Sequence, residues 1–267
     1  MNEASIQKMQ LEELNLLVKQ VTVGSGISIT NAAIALDGAA KKCGFRVVAF
    51  HDLSSKNFIR DENGHQINET VFGWTDPKER WWDEPLVGLT SPVALSARYE
   101  YQPFWVNERG VHSVIRNTNL ASVKFRSFFR ANTHFRSMMI FPVHQPFGRI
   151  GVVCYLPLDK DKSNLDSEFE LHCCQLSNLA HRFIRNFGSV DNVAVWTPEN
   201  CTLTRRQVRC LHWASVGKTD HEIGDILTLS HAAVRYHVSQ AISRLECVNR
   251  TQAVFKAGQL GYVGAIN

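Results

Sequence analysis

Between residues 203 and 262 each helix announces its own start. Thr204 stands three positions before Gln207, Thr219 before Glu222 and Asn249 before Gln252, the spacing at which an N-cap and a side chain reaching back form a capping box. Ser230 heads the remaining helix without such a partner. Apolar spacing predicts how these helices pack. Ile223, Ile226 and Leu227 make the inner face of a short helix, a turn of about three residues follows, and Val234, Val238, Ala241 and Leu245 make the inner face of the next. Two short helices joined this tightly form a helix-turn-helix. Gly261 supplies a C-cap after Val254, Ala257 and Leu260.

With that stripe packed inward, His231, Arg235, Tyr236, Ser239 and Gln240 face out near the start of the second helix. In a helix-turn-helix this end enters the DNA major groove, where Arg pairs with the acceptor edge of guanine and shorter polar groups meet other base edges. Lys218 and Thr219 open the preceding helix, where a cation, a hydroxyl and free N–H groups can hold a phosphate. Charge agrees: residues 201–267 carry eight Lys and Arg against four Asp and Glu, so the whole formal +4 of the chain falls on this segment. The competing reading of the pattern alone is a protein-interaction helical bundle with a solvated face.

The 267 residues, 44% hydrophobic, suffice for a larger and a smaller globular domain. Helical spacing runs through "SIQKMQLEELNLLVKQV" and "TNAAIALDGAAKKCG", and "FRVVAFHDL" reads as a buried strand. Asp76 before Pro77 marks a helix start, further helices are expected near 91–101 and 119–135, and a long one over about 164–187. "SMMIFPVHQPFGRIGVVCYLP" predicts two strands joined by a turn at Gln145 to Gly148. Helices around strands in this order give an α+β chain, an α/β sandwich on a mainly antiparallel sheet followed by an all-α four-helix domain. The expected domains are 1–187 and 201–267, with 188–200 as linker.

Seven Cys without C-x-x-C spacing suggest neither a disulfide framework nor a metal site, and no cofactor is expected. G-x-S-x-G, a phosphate-binding Gly loop and H-E-x-x-H are all missing, so no enzyme is expected. No charged leader with an apolar stretch and no run of roughly 18 apolar residues occurs, which predicts a cytoplasmic protein without membrane contact.

Residues 203–262, with "GKT", "EIG", "VRYHV", "RL" and "NRTQAV", resemble the DNA-binding module of the LuxR family of bacterial transcription regulators. The family usually has Glu where Gln207 stands, a change that keeps the cap and removes a charge. The resemblance implies base-reading positions at Arg235 and Ser239, with Tyr236 between them and Lys218 near the DNA backbone. It also implies a homodimer on an inverted repeat of double-stranded DNA.

The N-terminal part is similar to the family's autoinducer-binding domain, an α/β/α sandwich that receives acyl-homoserine lactones. "SPVALSARYEYQPFW" and the strand, turn and strand of residues 136–157 carry that likeness. Pro92 and Trp105 match; Trp81 or Trp82 stands for a family Trp, with Pro85 or Leu86 where a Tyr would follow. Ser91 replaces the Asp that accepts the lactone amide hydrogen, Met138 replaces a Gly, and Cys154 replaces a pocket hydroxyl. Asp83 is a candidate compensating acceptor. The ligand-binding residues implied are therefore Trp81, Trp82, Ser91, Tyr99, Trp105 and Cys154. Trp81, Trp82, Tyr99, Phe104 and Trp105 are each read first as core and only second as ligand contacts.

An unmet buried amide costs roughly 1 to 3 kcal/mol, so losing the Asp disfavours ordinary lactone sensing. The expectation is a DNA-binding regulator of LuxR type, an atypical or unpaired member, that needs no ligand or binds a non-standard small-molecule signal. The alternatives are a lactone-responsive quorum-sensing regulator and, from another class, an inhibitory partner of a second regulator.

Overall fold

A computed structural model describes residues 21, 28–53, 58–84, 87–115, 117–145, 148–190 and 202–264. The chain divides into two compact units, with the division between Val193 and Ala194. The expected helix in "SIQKMQLEELNLLVKQV" and most of the expected linker lie outside the described residues.

In the first unit the strands and the helices longer than one turn are α1 (Ile29–Lys42), β1 (Phe45–Phe50), α2 (Pro92–Tyr99), β2 (Phe104–Asn107), β3 (Gly110–His112), α3 (Phe125–Ala131), β4 (Ser137–His144), β5 (Ile150–Pro157) and α4 (Asp166–Val190), with single helical turns at Ile67–Thr70 and Val87–Thr90. The helix start at Asp76 exists, its carboxylate accepting from the Lys78 N–H, but yields only the 3-10 turn Pro77–Glu79. The helix expected over 119–135 is split into a 3-10 turn, Thr118–Ser122, and α3. The sheet order is β1-β5-β4-β2-β3, every pairing antiparallel. The predicted hairpin is β4–β5, with His144 opposite Ile150 across the turn. The hairpin β2–β3 was not expected from the sequence.

Paired residues on antiparallel strands share a face, and faces alternate along each strand. Val48, Cys154, Ile140 and Phe104 pair in one row; Val47, Tyr155, Met139 and Trp105 pair in the next and face the other way. Tyr155 donates its hydroxyl to the Leu176 carbonyl of α4, so the second row faces α4, against which α1 packs. Phe50 shares the first row's side and meets Trp81 and Trp82, and His144 on that side bonds the Ala97 carbonyl of α2. Helices therefore cover both faces, the α/β/α arrangement the resemblance implied.

The second unit is four helices: α5 (Arg205–Ser215), α6 (Asp220–Leu227), α7 (His231–Arg244) and α8 (Arg250–Gln259). Two apolar clusters hold it. Cys210, Ile223, Leu227, Val234 and Val238 form one; Leu203, Leu211, Ala241, Leu245, Ala253, Ala257 and Val263 form the other. The inner face of α7 closes both, which leaves its opposite face uncommitted.

Candidate nucleic-acid interface

The turn between α6 and α7 is set by local chemistry. Thr228 ends α6 in the left-handed conformation, φ 55°, and the Leu229 N–H returns to the Gly224 carbonyl at 2.9 Å. Ser230 then caps α7 through the Ala233 N–H. Gly224 is required here: a Cβ on it would lie 2.7 Å from the Leu229 carbonyl oxygen. Ile226, expected on the inner face, is 41% exposed, because Ile223 and Leu227 alone complete the packing of so short a helix.

Two capping boxes form as expected, Thr204 with Gln207 and Thr219 with Glu222. The third does not. Asn249 accepts from the Gln252 N–H, but the Gln252 amide reaches one residue further back, to the Val248 N–H.

Arg235, Tyr236, Ser239 and Gln240 are exposed along α7, Tyr236 by 61%. Arg235 has no hydrogen-bond or ion-pair partner among the described residues, so a guanidinium with its full donor fork projects from the exposed face of α7. His231 is only half-exposed. Its ring stacks on that of His221 at 4.3 Å and 10°, linking the starts of α6 and α7.

Lys218 and Thr219 lie where the sequence placed them, before α6, but both are engaged. The Glu222 carboxylate accepts from the Thr219 N–H at 2.8 Å and hydroxyl at 2.9 Å, and from Lys218 Nζ at 3.0 Å. Those donors hold the Glu222 carboxyl down to about pKa 2, the Thr219 backbone bond first among them. A phosphate at this helix start must compete with an internal carboxylate. Arg250 of α8, which the sequence reading did not single out, braces the same point: Nη1 meets Asp220 and Nη2 meets the Lys218 carbonyl, each at 2.6 Å. Its bond to a non-local carbonyl left no signal in the sequence beyond the "NRTQAV" stretch.

Residues 201–257 match the model for bacterial regulatory proteins of the luxR family. The second unit is a LuxR-family domain. Among curated relatives, the chain is 33% identical over 124 residues to the transcriptional activator protein VanR of Vibrio anguillarum, covering 46% of this chain and 50% of that one. It is 31% identical over 117 residues to the transcriptional activator protein LuxR of Aliivibrio fischeri, covering 44% and 46%. The chain spans about half the length of the curated relatives it matches. Among solved structures, Escherichia coli SdiA aligns with 66% of this chain and 68% of its own at 19% identity and TM-score 0.37, too loose a likeness to place any residue.

Outside the LuxR-family domain, the residues expected around a ligand do not all meet. Trp81 and Trp82 form a 3-10 turn with Asp83 and are buried. They pack edge-on against each other at 5.6 Å, against Phe50, and, through Trp81, against Phe128. Cys154 faces the same side, fully buried, and burial pushes its thiol pKa well up, so it stays neutral. Ser91 is buried too, but its hydroxyl is spent capping α2 at the Val93 N–H, 3.3 Å away. Trp105 is the correction: its row faces α4, and its ring stacks on His112 at 3.8 Å and 4° on the far side of the sheet. Tyr99 is 55% exposed and lines an open hollow of about 590 Å³ with Pro92 and Leu95; it is neither core nor within the Trp cluster. Asp83 is 42% exposed and sits 3.1 Å from Arg80 Nε, which turns it away from a compensating role.

One feature of the cluster stands apart. The indole N–H groups of Trp81 and Trp82 are buried and have no hydrogen-bond partner among the described residues, whereas that of Trp74 donates to the Val47 carbonyl at 2.5 Å.

Proposed function

We propose that this chain is a sequence-specific DNA-binding transcriptional regulator of the quorum-sensing type that binds an inverted repeat as a homodimer. The observation that carries it is the unpartnered Arg235 on the exposed face of α7, flanked by Tyr236, Ser239 and Gln240, in a LuxR-family domain. Phe255 on α8 is 65% exposed and Leu171 on α4 63%, apolar surface of the kind a two-fold dimer covers. Selection of the full chain on a randomised duplex pool tests the reading. A two-fold consensus is expected; Arg235→Ala weakens binding by about 1 to 3 kcal/mol and relaxes preference at one base position. Equal affinity for all sequences, or an unchanged consensus in the variant, refutes it.

The N-terminal unit is proposed to receive a non-standard signal. The paired orphan N–H groups of Trp81 and Trp82 favour this over ligand-free control, because buried donors without acceptors are costly and a bound acceptor relieves them. A molecule bearing acceptor oxygens suits those donors, and what disfavours a standard acyl-homoserine lactone is Ser91, whose hydroxyl is spent on the Val93 N–H and leaves no carboxylate for the lactone amide. Native mass spectrometry on the chain, produced in a host without lactones and then offered a lactone panel, tests it. A stoichiometric adduct of host origin supports the reading, and a chain that selects DNA with no adduct refutes it.

A further inference from the structure

The sheet ends on β3, whose outer edge pairs with no strand among the described residues. Gly110, Val111 and Ser113 instead line an open hollow of about 1240 Å³ whose other wall is α3. Arg109, Lys124, Arg126 and Arg130 border it, opposed by the single carboxylate of Glu108. None of these four cations has an ion-pair partner among the described residues. Immediately beyond β3, Val114 and Ile115 are 83% and 64% exposed.

We propose that this hollow is a docking site for an extended acidic segment of another protein, which adds to the sheet as a strand beside β3 with its carboxylates toward these four cations. Three features converge on that occupant. An open strand edge offers alternating N–H and C=O groups that only another peptide backbone can match. Unpaired cations along that edge select a partner of opposite charge. Exposed Val114 and Ile115 reward an apolar side chain at the end of the segment, which a nucleic-acid backbone does not provide. A second copy of this chain is disfavoured, because pairing β3 with β3 brings one set of four cations against the other. Exposed ion pairs are each worth little, so the interaction is weak and salt-sensitive.

The test uses the full chain and a fluorescent peptide of alternating Glu and Val, read by anisotropy. Saturable binding is expected, about tenfold or more weaker in an Arg126→Glu, Arg130→Glu double variant and on raising the salt. The same peptide N-methylated on the edge facing β3 keeps its charge and is expected not to bind. Both substituted residues are exposed, and amide-exchange protection of the β4 and β5 peptides equal to the parent's shows that the substituted unit of the double variant is folded. Equal binding of the methylated peptide overturns strand addition. An oligothymidylate that competes for the hollow and loses affinity in the double variant overturns the protein partner in favour of nucleic acid. Self-association abolished by the double variant assigns the edge to a second copy, and no peptide binding by the unaltered chain overturns the site.

Discussion

Gly224 and Gly38 both sit inside helices, and the same substitution at the two is expected to act with opposite sign. An Ala at Gly38 meets nothing within 4 Å. It gains only the helix preference of Ala over Gly, about 0.5 to 1 kcal/mol. At Gly224 the new methyl would stand 2.7 Å from the Leu229 carbonyl oxygen, where ordinary contact begins near 3.4 Å. That oxygen is backbone, so relief requires the turn to retreat from α6 by roughly 0.7 Å. The retreat stretches the 2.9 Å bond from the Leu229 N–H to the Gly224 carbonyl. Overpacking of this kind costs about 1 to 3 kcal/mol and the hydrogen bond about 1, against a helix gain near 1. The net expectation for Gly224→Ala is a loss of about 1 to 3 kcal/mol in the LuxR-family domain. Because α7 begins two residues beyond Leu229, DNA affinity falls as well. Amide exchange on the full chain separates the two sites: peptides from α6 and α7 should exchange faster in Gly224→Ala, and peptides from α1 slower in Gly38→Ala. A Gly224→Ala chain that is protected as well as, or better than, the parent refutes the close approach as the reason for this glycine.

Lys218→Ala is expected to weaken all duplexes alike and lower the salt slope by about one unit, whereas a sequence-selective loss would remove Lys218 from the backbone role. Glu222→Gln tests the ion pair from the other side: it frees the Lys218 ammonium while keeping an acceptor for the cap, as Gln207 does for Thr204, so non-specific DNA binding should tighten. The same variant has a pH signature. The folded carboxyl titrates near 2, below its usual 4.5, so its stabilising effect is full above about pH 4.5 and is lost as pH falls toward 2. Exchange in α6 should show that acid-side loss in the parent and lack it in Glu222→Gln; identical profiles would refute the cap's charge as its source. Ser91→Asp keeps an acceptor for the cap on α2 but puts a carboxylate at a buried position, so it is expected to lower stability by about 1 to 3 kcal/mol while raising lactone affinity. No gain on the lactone panel would mean that packing around Trp81 and Trp82, and not the missing carboxylate, governs the site.

What was legible in the sequence and what was not divides along the distance between interacting residues. The caps at Thr204, Thr219 and Ser230 and the buried stripe of α7 are satisfied within three or four positions, so their residue types state the geometry directly. The departures in that unit are similarly local and small: an amide at Gln252 that reaches to Val248, and an Ile226 that a short helix does not need. The β2–β3 hairpin was missed because its strands are too short to show alternation, and what orders β2 is pairing with β4 some thirty residues later.

That division also explains why the outward face of α7 could be read residue by residue while the faces of β2 and β5 could not. A side chain on α7 faces out or in according to helical period, a property of its neighbours in the chain. A side chain on β2 or β5 faces one layer or the other according to sheet register, and a slip of one residue exchanges the faces. Cys154 and Trp105 were placed together because both occur in stretches with the right family spacing. The register pairs Cys154 with Ile140 and Trp105 with Met139, and those rows point apart. The two orphan indoles are further removed still from anything spacing can express, since a donor is known to be unmet only after every neighbouring acceptor has been placed. What the first unit could hold is therefore written in register and in unmet polar groups, whereas the outward face of α7 is written in helical period.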